Sequence, residues 1–131
     1  MKAPWWNIFL VGVGGGLGSI ARFMLAEGIR RWLPGWSARF PAGIWVVNVS
    51  GCLLFGLILG VGGASLSPER RLFLLTGVLG GFTTFSTFGH DTARLLGGGE
   101  TALGLLNAVS SVVCGVAAVF FGQWCGARWA A

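Results

Sequence analysis

Residues 80–88 read Gly80-Gly81-Phe82-Thr83-Thr84-Phe85-Ser86-Thr87-Phe88 and lie in the middle of an apolar run of membrane-spanning length. The stretch combines a glycine pair, which weakens a helix, with hydroxyl side chains and aromatic rings, and it contains no ionised group. A bilayer has no water to satisfy loosened backbone, so irregular chain at this depth has to line a cavity or lie inside protein. We therefore expect the third helix to be broken at mid-membrane, beside a neutral polar cavity that binds a small ion weakly enough to release it.

The composition places the chain among membrane proteins. Of its 131 residues, 54% are hydrophobic and 10% are charged, whereas soluble domains carry about 25% charged residues. A membrane-spanning helix needs about 20 residues, and four runs without charge are long enough to supply one each. They predict an all-α membrane protein with a single four-helix transmembrane domain over residues 1–131. The expected helices cover about 5–31, 42–63, 69–96 and 101–126, with both termini on one side.

The distribution of positive charge is more informative here than the net charge of +5, which in a soluble protein would suggest nucleic acid or anionic lipid. We expect membrane lipid and no nucleic acid as partners. Lys2, Arg70, Arg71 and Arg128 lie on the side of the termini, and Arg30, Arg31, Arg39 and Arg94 lie on the other side. Because an excess of Lys and Arg normally fixes orientation, this balance predicts insertion in both orientations and an antiparallel homodimer. If some of these residues have no influence on insertion, the chain inserts in one orientation instead.

Two polar residues stand within predicted helices, where an unpaired polar group is costly. Arg22, in the first helix, either attracts an anion into a water-filled vestibule, or it snorkels or pairs with Glu27 for structure; the sequence leaves both open. Asn48, in the second helix, either donates to an anion or bonds across to another helix, and we favour the first role. Ser50 fits a serine bonded back to its own helix.

Aromatic rings and hydroxyls predict the lining of a pore. Phe85 and Phe88 are three residues apart and project from one side of the third helix, and rings presented edge-on can favour an anion. Ordinary core packing is the usual role of such a pair, but these two directly follow the glycine pair. We expect a ladder of further donors from Ser86, Thr87, Asn107 and Ser111. We find no catalytic triad, paired carboxylates or metal-ligand spacing, so we predict no enzyme.

These motifs resemble those of the Fluc family of fluoride channels, the CrcB-like proteins. The resemblance rests on the stretch at 80–88, on Asn48-Val49-Ser50-Gly51, and on Gly15-Gly16-Leu17-Gly18-Ser19-Ile20-Ala21-Arg22, and it covers essentially the whole chain. It implies a fluoride-selective channel in the bacterial inner (plasma) membrane that exports fluoride passively and relieves fluoride toxicity. It also implies a dual-topology antiparallel homodimer with two separate pores.

The resemblance further implies roles for individual residues. A sodium ion at the dimer centre would be held by the backbone carbonyls of Gly80 and Thr83. The pore asparagine would be Asn48, and Arg22 matches the arginine of the first helix. The other pore residues implied are Phe85, Phe88, Ser86, Thr87 and Ser111. Asn107 stands where some members carry an aromatic hydroxyl.

Two other functions compete with a channel. A small dual-topology drug or cation exporter needs a titratable carboxylate deep in the membrane, but Glu27, Glu69, Asp91 and Glu100 all lie near predicted helix ends. A non-transporting membrane scaffold would account for the glycine pairs Gly12/Gly16, Gly14/Gly18 and Gly56/Gly60, whose spacing favours close helix packing. It leaves the hydroxyl and phenylalanine stretch unexplained.

Overall fold

The structure, a computed structural model, describes residues 4–62 and 65–130, and in this part of the chain every regular element is helical. The helices are α1 (Pro4–Trp32), α2 (Pro34–Ser37), α3 (Ala42–Gly60), α4 (Pro68–Arg71), α5 (Gly80–Phe82), α6 (Phe85–Gly97) and α7 (Thr101–Trp129), and a π-helical segment (Leu72–Leu79) joins α4 to α5. Lys2 and the predicted end of the second helix at residue 63 lie outside the described residues.

Within the described residues, four spans are long and apolar enough to cross a membrane, as the sequence predicts: Pro4–Trp32, Ala42–Gly60, Pro68–Gly97 and Thr101–Trp129. We refer to Pro68–Gly97 as the third span. Most large apolar side chains face outward; Phe23 and Phe120, for example, are 70% and 67% exposed. In water such a surface would be unfavourable, whereas hydrocarbon solvates it. The chain is therefore an integral membrane protein.

The ends of the spans follow from local sequence. Ser67 caps the third span by accepting a hydrogen bond from the Arg70 amide at 3.4 Å, and Pro68 occupies the first helical position, as predicted. The glycine run after Leu96 ends α6, and Gly99 adopts a φ of +84°, which is favourable only for a residue without Cβ. These two ends set the length of the third span.

Glycines bring the spans together in two close pairs. In α1, a Cβ on Gly14 or Gly18 would overlap backbone atoms of the third span. In α3, a Cβ on Gly56 or Gly60 would overlap the backbone of α7. Two of the three predicted glycine pairs thus pack helices backbone to backbone. Around Gly12 and Gly16 no atom lies within 4 Å of an added Cβ.

The third span changes its backbone conformation twice. The π-helical segment places a widened turn where Gly77 meets Gly14 of α1. After α5, Thr83 has φ −81° and ψ 158°, and Thr84 has φ −149° and ψ 117°, before α6 begins at Phe85. We call these two residues the extended dipeptide. It lies between α1 and α3, whose side chains contact it from both sides.

Candidate functional site at the extended dipeptide

Asn48 of α3 holds the extended dipeptide through its side-chain amide. Its Oδ1 accepts a hydrogen bond from the Thr84 amide at 2.9 Å, and its Nδ2 donates to the Thr84 carbonyl at 3.1 Å. In a continuous helix the Thr84 amide would donate to the carbonyl of Gly80. Asn48 therefore supplies both backbone partners that Thr84 lacks, and one Nδ2 hydrogen remains for another acceptor.

Thr84 in turn caps α6. Its hydroxyl accepts a hydrogen bond from the Thr87 amide at 3.3 Å, donates to the Thr87 hydroxyl at 3.1 Å and lies 3.3 Å from the hydroxyl of Ser86. The side chain of an N-cap threonine normally satisfies one of the free amides at a helix start. Here it also gathers Ser86 and Thr87 into a cluster of three hydroxyls.

Side chains of α1 contact the other side of the extended dipeptide. The Ser19 hydroxyl donates to the Gly81 carbonyl, and Nη1 of Arg22 donates to the Thr83 carbonyl, both at 3.4 Å. Glu27, one of the partners considered for Arg22, forms ion pairs with Arg30 and Arg31 at 2.7 and 2.8 Å. The guanidinium of Arg22 thus lies beside the dipeptide carbonyl.

A cavity of about 260 Å³ opens on the α3 and α7 side of the dipeptide. Its lining comprises Asn48, Cys52, Thr83, Thr84, Phe85, Phe88, Ser111 and Val112. The rings of Phe85 and Phe88 lie 5.5 Å apart between centroids, with their planes 47° apart. The Ser111 hydroxyl is buried and has no hydrogen-bond partner among the described residues. The lining therefore contains ring surface, an amide and a free hydroxyl, and no ionised group.

The cavity unites four of the predicted pore residues, Asn48, Phe85, Phe88 and Ser111, from three separate spans. Ser86 and Thr87 lie outside its lining, in the hydroxyl cluster of Thr84. Asn107 is 2% exposed and its Nδ2 donates to the Thr92 hydroxyl at 2.8 Å. The predicted residues thus form a cavity, an adjoining hydroxyl cluster and a separate buried contact.

Comparison with known proteins gives the site its context. Residues 9–123 match the family model described as CrcB-like protein, Camphor Resistance (CrcB). The chain belongs to the CrcB-like family. This match confirms the resemblance drawn from the sequence motifs.

Bacterial relatives of the CrcB-like family align with nearly the whole chain, and each of the following is named "Fluoride-specific ion channel FluC". That of Methylobacillus flagellatus is 40% identical over 119 residues, 89% of this chain and 91% of the relative. That of Nitratidesulfovibrio vulgaris is 42% identical over 122 residues, 92% of this chain and 96% of the relative. That of Hyphomonas neptunium is 44% identical over 126 residues, 93% of this chain and 96% of the relative. The family match over residues 9–123 spans every residue of the candidate site.

Three site residues of this CrcB-like chain were not singled out by sequence reasoning. Thr84 is one hydroxyl residue among several in the 80–88 stretch, yet it is both the partner of Asn48 and the cap of α6. Cys52 follows Asn48 by one helical turn, a spacing that places both on one face. Thr92 follows Phe88 by one turn in the same way, so helical spacing from a known site residue would have found both.

Backbone carbonyls of this CrcB-like chain are candidate ligands for a metal ion at the site. No group of three or more His, Cys, Asp and Glu side chains forms a cluster in the described part of the chain. The amides that would bond the carbonyls of Gly80 and Thr83 in a helix, those of Thr84 and Thr87, donate instead to side chains. Carbonyl oxygens released in this way suit a hard cation such as sodium.

Proposed function

We propose that this chain is a fluoride-selective channel that lets fluoride leave a bacterial cell across the inner (plasma) membrane and so relieves fluoride toxicity. The observation that carries the proposal is the cavity beside the extended dipeptide, where ring surface, an amide and an unpartnered hydroxyl converge without any ionised group. The name of the relatives supports the choice of ion. Transport of this kind changes no covalent bond, so the protein is not an enzyme.

The lining offers donors that can replace the water around a small, tightly hydrated anion. The Ser111 hydroxyl is free to donate, and Asn48 retains one N–H beyond its bonds to Thr84. The edges of Phe85 and Phe88 carry partial positive charge. Because none of these groups is ionised, the anion is stabilised without being trapped, and pore width and replaced hydration select it. Ser86 and Thr87 would receive it next.

Arg22 would act at the vestibule. Its guanidinium lies beside the Thr83 carbonyl, on the α1 side of the dipeptide and apart from the cavity lining. A positive charge there raises the local concentration of anions without sitting in their path. Its hydrogen bond to the carbonyl also keeps the side chain oriented.

We place the extended dipeptide at mid-membrane and a sodium ion beside it, at the centre of an antiparallel dual-topology homodimer. The released carbonyls of Gly80 and Thr83 would hold the ion, and Gly80 is exposed on the surface of the single chain. When bound, such a cation offsets the cost of bringing an anion into hydrocarbon and fastens two subunits together. The Arg22 bond to Thr83 uses one of the two lone pairs of that oxygen.

The dual orientation is supported by where the arginines lie. Arg30 and Arg94 line one cavity of about 290 Å³, so they share one end of the chain. Arg70 lines another cavity together with Trp6, near the N-terminus. The positive charge is therefore divided between the two ends, which gives insertion no preferred direction. Gly12 and Gly16 leave open space on α1 where a partner helix can approach closely.

The test is anion efflux from liposomes that contain the purified dimer, with fluoride and chloride gradients of equal size and protein-free liposomes as the control. We expect rapid fluoride loss and negligible chloride loss. Assembled dimer that releases no fluoride would contradict the channel and favour a scaffold. Equal release of both ions would contradict the selectivity.

A further inference from the structure

A relay of hydrogen bonds that begins at a buried asparagine joins α7 to the backbone of Phe88. Asn107 Nδ2 donates to the Thr92 hydroxyl at 2.8 Å, and that hydroxyl donates to the Phe88 carbonyl at 2.8 Å. Asn107 is 2% exposed, which makes it the most deeply buried polar side chain in the described part of the chain. A buried amide is retained at little cost only when it is hydrogen-bonded, and Thr92 supplies that bond.

The direction of each hydrogen bond in the relay follows from which of its groups can donate and which can accept. An amide nitrogen can only donate, so the Thr92 oxygen has to accept from Asn107. A hydroxyl has one hydrogen, and with its oxygen accepting on one side that hydrogen is left to point at the Phe88 carbonyl. Asn107 thereby orients the Thr92 hydroxyl, which is tied in turn to the residue whose ring lines the cavity.

The relay lies one helical turn from the cavity on both helices. Phe88 precedes Thr92 by four residues on α6, and Ser111 follows Asn107 by four residues on the antiparallel helix α7. Phe88 and Ser111 are thus the pair of facing positions one turn beyond Thr92 and Asn107, and both line the cavity. The relay is therefore the polar contact that fixes the spacing of α6 and α7 where the cavity begins.

We propose that Asn107 and Thr92 are positioning residues that set the separation of Phe88 and Ser111 and hence the width of the anion path. The proposal rests on the channel function and names two of the determinants of its selectivity. In this role Asn107 acts through Thr92 and Phe88, in place of the direct ion contact that the sequence suggests for it. A tight path at this point excludes the larger chloride ion, since channels discriminate by pore width.

The experiment compares Thr92→Val, which keeps the shape of the side chain and loses the hydroxyl, with Thr92→Ser, which keeps the hydroxyl. Both are reconstituted as assembled dimers beside the unmodified protein, and fluoride and chloride efflux are measured for each. We expect Thr92→Val to lower the ratio of fluoride to chloride efflux about fivefold, the equivalent of about 1 kcal/mol for one lost hydrogen bond. Thr92→Ser should keep the efflux ratio of the unmodified protein, which a purely steric role of the side chain would not predict. Thr101→Val, at the exposed start of α7, is the control for a threonine-to-valine change.

Asn107→Leu, alone and combined with Thr92→Val, tests whether the two residues form one unit. In the relay, Asn107→Leu lowers the ratio as Thr92→Val does, and the double variant is no worse than either single variant. If Asn107→Leu does not assemble, the Thr92 pair decides alone.

Three results would overturn the relay. The first is an unchanged ratio in Thr92→Val. The second is loss of selectivity in Thr92→Val and Thr92→Ser alike. The third is that Asn107→Leu loses fluoride efflux whereas Thr92→Val keeps it. That result would make Asn107 a direct ligand of the ion. An unmodified dimer without fluoride efflux would overturn the channel function together with the relay, so the two failures are distinguishable.

Discussion

Replacing Asn48 by leucine should destabilise the folded protein and stop fluoride flux through one cause, the release of Thr84. Asn48 makes the two bonds to the Thr84 backbone at 2.9 and 3.1 Å, and Thr84 is only 8% exposed. A buried backbone group left without a partner costs about 1–3 kcal/mol. Loss of both bonds should therefore lower the free energy of unfolding by about 2–6 kcal/mol.

The flux effect follows from the position of Thr84 in the chain. Its hydroxyl caps α6, and the next residue is Phe85 at the wall of the cavity. Once the Thr84 backbone is free, the start of α6 and the Phe85 ring lose their fixed position. We expect fluoride efflux from Asn48→Leu liposomes to fall at least about tenfold, the equivalent of about 1.4 kcal/mol.

The assay is a titration of the purified protein from mild detergent into a denaturing detergent, followed by tryptophan fluorescence, alongside efflux from liposomes. Ser50→Ala is the matched control on the same helix, because Ser50 only bonds back to the Val47 carbonyl at 3.1 Å. It should change the free energy of unfolding by less than about 0.5 kcal/mol. An Asn48→Leu protein that keeps its stability but loses flux would show that Asn48 acts on the ion alone, and would refute the reasoning from Thr84.

Three further predictions concern the rings, the glycine packing and the orientation. Phe85→Ile or Phe88→Ile should cut fluoride efflux while the dimer stays assembled, and unchanged efflux in both would remove the rings from the path. Gly18→Ala should destabilise the protein by about 1–3 kcal/mol because the new methyl group overlaps the Val78 carbonyl; Gly28→Ala, with no atom within 4 Å of its Cβ, is the control in the same unfolding titration. Several arginines added to one end should fix the orientation and impair a lone gene product in cells, as read from cysteine accessibility and fluoride resistance; full resistance with every copy facing one way would contradict the antiparallel dimer.

The sequence predicts the spans because their signals are local. Run length and absence of charge mark each helix, and the capping chemistry of Ser67 and Pro68 or the glycines after Leu96 depends on neighbours a few residues away. Glycine spacing likewise predicts the close packing at Gly14/Gly18 and Gly56/Gly60, although the same spacing at Gly12/Gly16 has no neighbour in the single chain. The π-helical segment at Leu72–Leu79 has no comparable signal, since its composition is that of any apolar helix and its widened turn lies where α1 packs against it.

Local sequence signals do not indicate which groups the site residues bond to. Asn48 is separated from Thr84 by 36 residues and Thr92 from Asn107 by 15. An amide in a membrane helix has to be satisfied, but which backbone group satisfies it depends on how the spans pack. The sequence therefore indicates that Asn48 and Asn107 are site residues, and it favours an ion contact for both. In the structure, the amides of both residues form hydrogen bonds to other parts of the protein.

The same hydrogen bonds hold the fold and shape the site, which determines how any variant here should be interpreted. A helix can open inside hydrocarbon only if its freed amides and carbonyls find other partners. In this chain the Thr84 amide donates to Asn48, and the Thr87 amide donates to the Thr84 hydroxyl. The carbonyls of Gly80 and Thr83, which would accept from these amides in a continuous helix, thereby lose those donors, and the Thr83 carbonyl accepts from Arg22 instead. Loss of flux in such a variant reports on the ion path only if the free energy of unfolding is measured beside it. A side chain that contacts the ion and no backbone group, as the free hydroxyl of Ser111 can, should lose flux without losing stability.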